Sequence, residues 1–184
     1  MLIVSQNLKH YKMRFPASTI FRVNLAWLDN LEQLAKLIKG VKNHILIDMP
    51  IGRTKPPHNS YSFKELLPFI AAHKSIKYLA VSNIESPQDL DPFSNLEGGL
   101  ILIPKIETRQ GVENIAQIIK RLETFNKKIV MLDHDDLFSS LIKANIHPNK
   151  FNEYIHSLVE YCRSNDVILL RMRGVIFSDW FFLV

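Results

Sequence analysis

Along the chain, short and nearly continuous apolar runs alternate with stretches in which apolar residues return every three or four positions. The runs at 2–5, 20–25, 44–49, 77–83, 100–107, 128–133 and 167–172 are rich in Ile, Val and Leu. Runs of this kind predict strands covered on both faces, as in a parallel sheet. Helical spacing joins Leu28, Leu31, Leu34, Leu37 and Ile38, with Asp29 and Asn30 as N-cap candidates. The same spacing joins Val112, Ile115, Ile118, Ile119 and Leu122. A further helix is predicted over 63–73, and a longer helical stretch over 137–164 is broken near His147-Pro148. The helical signal is poor after the first and fourth strands.

Strands that alternate with helices build right-handed βα units, and closing their sheet gives a (β/α) TIM-type barrel. A complete eightfold barrel takes about 250 residues, with about 200 near the lower limit. This chain has 184, and only 175–184 remains for an eighth strand. The expected fold is therefore α/β, a shortened or incomplete TIM-type barrel, with 1–184 as one domain. The tail Phe177-Ser-Asp-Trp-Phe-Phe-Leu-Val is too apolar to be left in water and is expected to complete the sheet or to form a homo-oligomer contact. Residues 52–60 have turn composition and fall at the barrel end where active sites assemble.

Composition narrows the class. Apolar residues make up 47% and charged residues 22%, which excludes a disordered tail protein. No apolar run approaches the roughly 20 residues that cross a bilayer, so no membrane partner is expected. The N-terminus lacks the basic region and long apolar core of a secretory signal, and Cys162 has no second cysteine to pair with. Both point to the cytoplasm, with Cys162 as a buried small apolar residue. The net charge of +5 comes from basic residues spread along the chain without a stripe of interleaved aromatics. That distribution suits a small anionic substrate and excludes nucleic acid.

In a parallel βα fold the C-terminal strand ends converge on one rim, and several here are polar. They carry Arg22 and Asn24, Asp48, Ser82 and Asn83, Lys105 and Glu107, and the group 133–136. Residues two apart on a strand share a face, so Arg22 with Asn24 and Lys105 with Glu107 can each point inward as pairs. Glu107 and Asp136, from adjacent strands, offer oxygen ligands for a hard divalent cation, Mg2+ or Mn2+. Such a cation stabilises an enolate, with Arg22 offering a planar fork to an anionic oxygen and His134 or a water moving the proton. The substrate is then a small anionic keto acid or its phosphoenol form. The plainer alternative is that Lys105 and Glu107 screen each other and 133–136 caps a helix. The histidines at 10, 44, 58, 73, 147 and 156 show no metal-ligand spacing, Trp27 and Trp180 read as packing residues, and Ser139 and Ser140 as part of a helix start.

The run Ile101-Leu-Ile-Pro-Lys-Ile-Glu-Thr-Arg-Gln-Gly-Val-Glu-Asn-Ile resembles the strand and helix start that carry the lysine and metal-binding glutamate of pyruvate kinases. Phe21-Arg-Val-Asn-Leu, Ile45-Leu-Ile-Asp-Met-Pro-Ile-Gly-Arg-Thr, Tyr78-Leu-Ala-Val-Ser-Asn-Ile and Val130-Met-Leu-Asp-His-Asp-Asp-Leu resemble its other site strands in the same order. The resemblance implies Arg22 and Asn24 for phosphoryl or cation contacts, Asp48 for a monovalent-cation region, Lys105 for charge stabilisation, and Glu107 with Asp136 for magnesium. The pattern is also similar to the wider phosphoenolpyruvate/pyruvate-binding barrels, including HpcH/HpaI-type aldolases and citrate lyase β subunits. Three positions depart from the kinase: Ala26 replaces a cation-binding serine, His134-Asp135 an Arg-Gly, and Arg171 a catalytic threonine. Its lid and regulatory domains have no counterpart in the chain.

Together these readings predict catalytic Arg22 and Lys105, substrate contacts from Arg22, Asn24, Asp48 and Ser82, and metal ligands Glu107 and Asp136. The expected activity is a Mg2+-dependent (or Mn2+-dependent) lyase or aldolase-like reaction through a metal-stabilised enolate. The alternatives are a degenerate barrel serving as a binding or assembly subunit and, last, a true pyruvate kinase.

Overall fold

The computed structural model describes residues 1–5, 14–51, 61–94, 96, 99–125 and 127–172. Seven strands form one parallel sheet whose spatial order follows the sequence. They are β1 (Ile3–Ser5), β2 (Ile20–Asn24), β3 (Ile45–Met49), β4 (Ile76–Val81), β5 (Ile101–Ile106), β6 (Ile129–Leu132) and β7 (Ile168–Arg171). The helices are α1 (Leu31–Ile38), α2 (Phe63–Ala72), α3 (Arg109–Glu113), α4 (Ile115–Leu122), α5 (His134–Lys143) and α6 (Phe151–Ser164). After β4 the crossover runs through a 3-10 segment at Pro87–Phe93, where two prolines block a regular helix.

The helix starts follow local chemistry. Asn30 accepts from the Gln33 amide ahead of α1, and Ser62 and Glu65 close a reciprocal capping box ahead of α2. Asp133 caps α5, and the break expected near His147-Pro148 is a 3-10 turn at Pro148–Lys150. No helix among the described residues is long and apolar enough to cross a membrane.

Strand alternation sorts the sheet into two apolar layers. The convex side packs Val23, Ile45, Ile47, Leu79, Leu102 and Ile106 under the helices. The concave side holds a smaller cluster of Ile20, Leu46, Ala80, Ile103, Ile129 and Met131. Moving two residues along each strand from that cluster gives Arg22, Asp48, Ser82, Lys105 and Asp133. The concave columns are therefore apolar at one end and polar at the other, and the polar ends share one rim because the strands are parallel and in register.

The expectation of a shortened or incomplete TIM-type barrel is corrected to an open half-barrel, which keeps the incompleteness and loses the closure. Among the described residues β1 pairs with β2 alone and β7 with β6 alone, so the sheet is open. It is nonetheless curled: Arg22 Nη1 on β2 comes within 3.0 Å of Met172 Sδ, just past β7. Closure fails because the edge strands, three and four residues long, do not meet. The expected eighth strand at 175–184, its oligomer contact, the 52–60 turn, His10, His58 and Trp180 all lie outside the described residues. Trp27 is 69% exposed and not the packing residue its type suggested. Cys162 is buried in α6, and burial pushes its thiol up to about 11.

Candidate functional site

The polar rim opens into a cavity of about 500 Å3. Its walls include every residue the sequence proposed for the site: Arg22, Asn24, Asp48, Ser82, Lys105, Glu107 and Asp136. Residues from β2, β3, the end of β4, β5 and α5 thus meet in one space.

Asp48 sits at the centre of the charge network. Arg22 donates to Asp48 Oδ2 from Nε at 2.8 Å and from Nη2. Lys105 Nζ lies 3.4 Å from Asp48 Oδ1, 2.6 Å from Glu107 Oε1, and donates to Ser82 Oγ at 3.2 Å. The Lys105–Glu107 contact is a close, buried ion pair. Glu107 Oε2 accepts from the Asn83 amide at 2.9 Å. Asp48, Lys105 and Glu107 are all buried, so their charges act in a poorly screened environment.

The environment moves the two central groups. Burial pulls the Lys105 ammonium down, but the carboxylates of Asp48 and Glu107 outweigh it and the net shift is upward. Glu107 moves up chiefly because it is buried; Lys105 opposes this, and the nearby Asp136 charge adds to it. The directions agree physically, since the lysine faces two carboxylates whereas the glutamate faces one ammonium and another carboxylate.

Glu107 and Asp136, proposed from sequence as metal ligands, come together with a third carboxylate, Asp133. One ligand oxygen from each lies within 4.8 Å of the other two. Two oxygens on one ion are separated by at most twice the metal–oxygen distance, about 4.2 Å for Mg2+ and about 4.8 Å for Ca2+. The trio therefore fits a hard cation, with the exposed Asp136 supplying the small adjustment that Mg2+ or Mn2+ requires. Asp133 already accepts from the Asp135 and Asp136 amides through Oδ1, which leaves Oδ2 for the ion.

Other placements differ from the sequence reading. Asp48, assigned by resemblance to a monovalent cation, is occupied by Arg22 and Lys105. Asn24 turns its Oδ1 to the Ala26 amide. His134, considered for proton transfer, accepts from Arg171 Nε at 3.3 Å and is not among the cavity walls. The sequence reading missed Asp133 as a ligand, Asn83 as the residue holding Glu107, and Lys143 as a wall residue. Lys143 was discoverable from spacing: Asp136, Ser139, Ser140 and Lys143 fall on one face of α5.

The fold and rim define an α/β protein with an open, curled parallel sheet and an acidic trio beside paired cations. No family model and no curated protein matches the chain. Among solved structures it is similar to RipC from Yersinia pestis, with a TM-score of 0.63 and 15% identity over 97% of this chain and 77% of that one. At that identity the likeness concerns the fold alone. The expected membership of the pyruvate kinase or phosphoenolpyruvate/pyruvate barrel families is corrected accordingly: no family model matches, RipC is among the structures the fold is similar to, and the sheet is open where those barrels close.

Proposed function

We propose that the rim is the active site of a Mg2+- or Mn2+-dependent enzyme that binds a small anionic 2-oxo acid and stabilises its enolate, in the manner of a lyase or aldolase. The observation that carries this reading is the meeting of Glu107, Asp133 and Asp136 beside the buried ammonium of Lys105. The cavity walls hold three cations, Arg22, Lys105 and Lys143, against four carboxylates, Asp48, Glu107, Asp133 and Asp136. A divalent ion reverses that balance, so the anionic substrate follows the cation.

When bound, the cation supplies Lewis-acid stabilisation of developing charge on the substrate oxygen. The chain does the rest. Lys105, held charged by Asp48 and Glu107, presents an ammonium to the same region. Asp48 holds Arg22 through two donors and so fixes the guanidinium at the cavity wall. Ser82 accepts from Lys105 and orients it. Placement of the enzyme in the cytoplasm is supported by its lone cysteine, a buried thiol that needs no oxidising compartment.

A second reading has a specific observation in its favour. Two of the three cavity cations, Arg22 and Lys105, are already paired with carboxylates, as in a rim that binds or assembles without chemistry. One experiment separates the two. Oxalate, a mimic of the pyruvate enolate, is titrated with and without Mg2+, and deuterium exchange at the methyl group of pyruvate is followed in D2O. The enzyme reading expects cation-dependent oxalate binding together with exchange. Binding without exchange supports the second reading, and no binding at millimolar oxalate removes the first.

A further inference from the structure

Positive charge gathers at the end of the fold opposite the rim. Residues 14–19, 39–44 and 72–77, which lead into β2, β3 and β4, lie there side by side. They carry Arg14, Lys39, Lys42, Lys74 and Lys77, and their sequences contain no Asp or Glu. The first four are exposed and Lys77 is half-buried. Of the 23 Lys and Arg in the chain these are five, and the other 18 equal the 18 Asp and Glu in number, so the five account for the whole net charge of +5. The flanking helices do not offset them, because their acidic residues, Glu32 and Glu65, stand in the first turns of α1 and α2, at the rim end. Among the described residues none of the five makes an ion pair.

The three segments are tied to one another through polar backbone groups. The Phe21 amide donates to the His44 carbonyl and the Ile45 amide to the Ser75 carbonyl, each at 2.9 Å. The Asn43 side-chain amide donates to the Ala17 and Thr19 carbonyls at 3.2 and 3.0 Å. Phe15, next to Arg14, meets Phe21 edge-to-face at 6.0 Å. Lys77 is the extra residue of a bulge, since Ile76 and Tyr78 pair with the consecutive Ile45 and Leu46. Adjacent strands are about 4.8 Å apart, so three neighbouring entries span about 10 Å, roughly one Debye length at physiological salt. Like charges held that close repel, and an anionic partner relieves the repulsion.

We propose that this face docks an acidic segment of a partner protein, a run of Asp and Glu side chains laid across the three strand entries. Four of the five cations are lysines, compact point charges that pair with carboxylates without demanding one orientation. A nucleic-acid surface would call for exposed aromatic rings on which bases stack, and the aromatic ring of these segments, Phe15, is half-buried against Phe21. A membrane surface would call for large apolar side chains standing in water, and these segments expose none. The face is separate from the rim, and its test is independent of the chemistry proposed there.

The full chain is titrated with a fluorescein-labelled peptide of alternating Glu and Gly, and in parallel with a single-stranded oligonucleotide of equal charge and with phosphatidylserine vesicles. The peptide should bind best of the three, and its affinity should fall about tenfold or more between about 50 and 300 mM salt. Lys42→Glu combined with Lys74→Glu should weaken the peptide about tenfold or more at low salt. Lys64→Glu combined with Lys120→Glu changes the net charge equally at exposed positions outside the face and should alter affinity by less than about twofold. Lys42→Gln combined with Lys74→Gln, which adds no new charge, should fall between the two. Equal losses from both Glu pairs would show that net charge alone attracts the peptide and would overturn the docking face. Tighter binding of the oligonucleotide or of the vesicles would also overturn it, as would no peptide binding at the lowest salt.

Discussion

Lys105 Nζ on β5 and Glu107 Oε1, one residue past its end, stand 2.6 Å apart with both side chains almost wholly out of water. The alternation of β5 turns both toward the concave face, and Asp48 on β3 completes the network from the other side of the lysine.

Removing the lysine is therefore worse than removing the glutamate. Lys105→Met leaves Asp48 without one of the two cations it contacts and Glu107 buried without the cation it is paired with among the described residues; it should destabilise the protein by about 3–5 kcal/mol. Glu107→Gln keeps an acceptor for the Asn83 amide and leaves Lys105 with Asp48, so it should cost clearly less than Lys105→Met. Urea unfolding of the two variants checks the order.

The pH dependence follows from the same pair. Lys105 titrates above its ordinary value of 10.5, so its stabilisation is fully present below 10.5 and is lost as pH rises through the higher folded value. Glu107 titrates above 4.5. The folded protein then holds that proton more tightly than the unfolded chain, and the contribution of Glu107 to stability falls as pH rises from 4.5 through the folded value. Cation binding, which competes with that proton, should weaken as pH falls toward that folded value. Thermal unfolding and Mn2+ titration across pH measure both, and Glu107→Gln should abolish the acidic slope.

Asn83 takes a left-handed turn, φ 56°, at the end of β4, and from there makes its two contacts to Glu107 and Ile51. Asn83→Gly keeps the turn and the backbone donor and loses only the side-chain bond, an expected loss of about 0.5–1.5 kcal/mol. Asn83→Val should lose about 1–2 kcal/mol more, because a β-branched residue is strained there. Equal stabilities for the two variants would contradict the turn's role.

Gly111 sets two effects against each other. Alanine in a helix is favoured over glycine by roughly 1 kcal/mol, but a Cβ at Gly111 would lie 2.7 Å from the Ile84 carbonyl oxygen and 3.3 Å from Ile106 Cγ2. Backbone yields poorly, and overpacking costs about 1–3 kcal/mol. Gly111→Ala is expected to lower the melting temperature; a gain would show that α3 can shift away from the β4 exit.

Much of the rim was legible because strand alternation has a fixed period. Arg22 with Asn24 and Lys105 with Glu107 are spaced by two, and parallel pairing brings such pairs to one end whatever the loops do. Asp133 was harder to read, since a carboxylate at a strand-to-helix junction serves a cap equally well, and here it serves α5 while also facing Glu107. Asn83 gave only the weak signal that asparagine tolerates a left-handed turn. Closure was illegible for a topological reason: sequence order equals spatial order in an open curled sheet and in a closed barrel alike, so only the meeting of β1 with β7 distinguishes them. The weak helical signal after the fourth strand did register, and Pro87 and Pro92 explain it.

Anomalous diffraction from a crystal soaked in Mn2+ and oxalate tests the central claim most directly. The account predicts a single manganese peak with carboxylate oxygens of Glu107, Asp133 and Asp136 at about 2.0–2.2 Å, and oxalate on the side facing Lys105. A rim that stays free of manganese, or a peak held by other residues with the trio turned away, would contradict it.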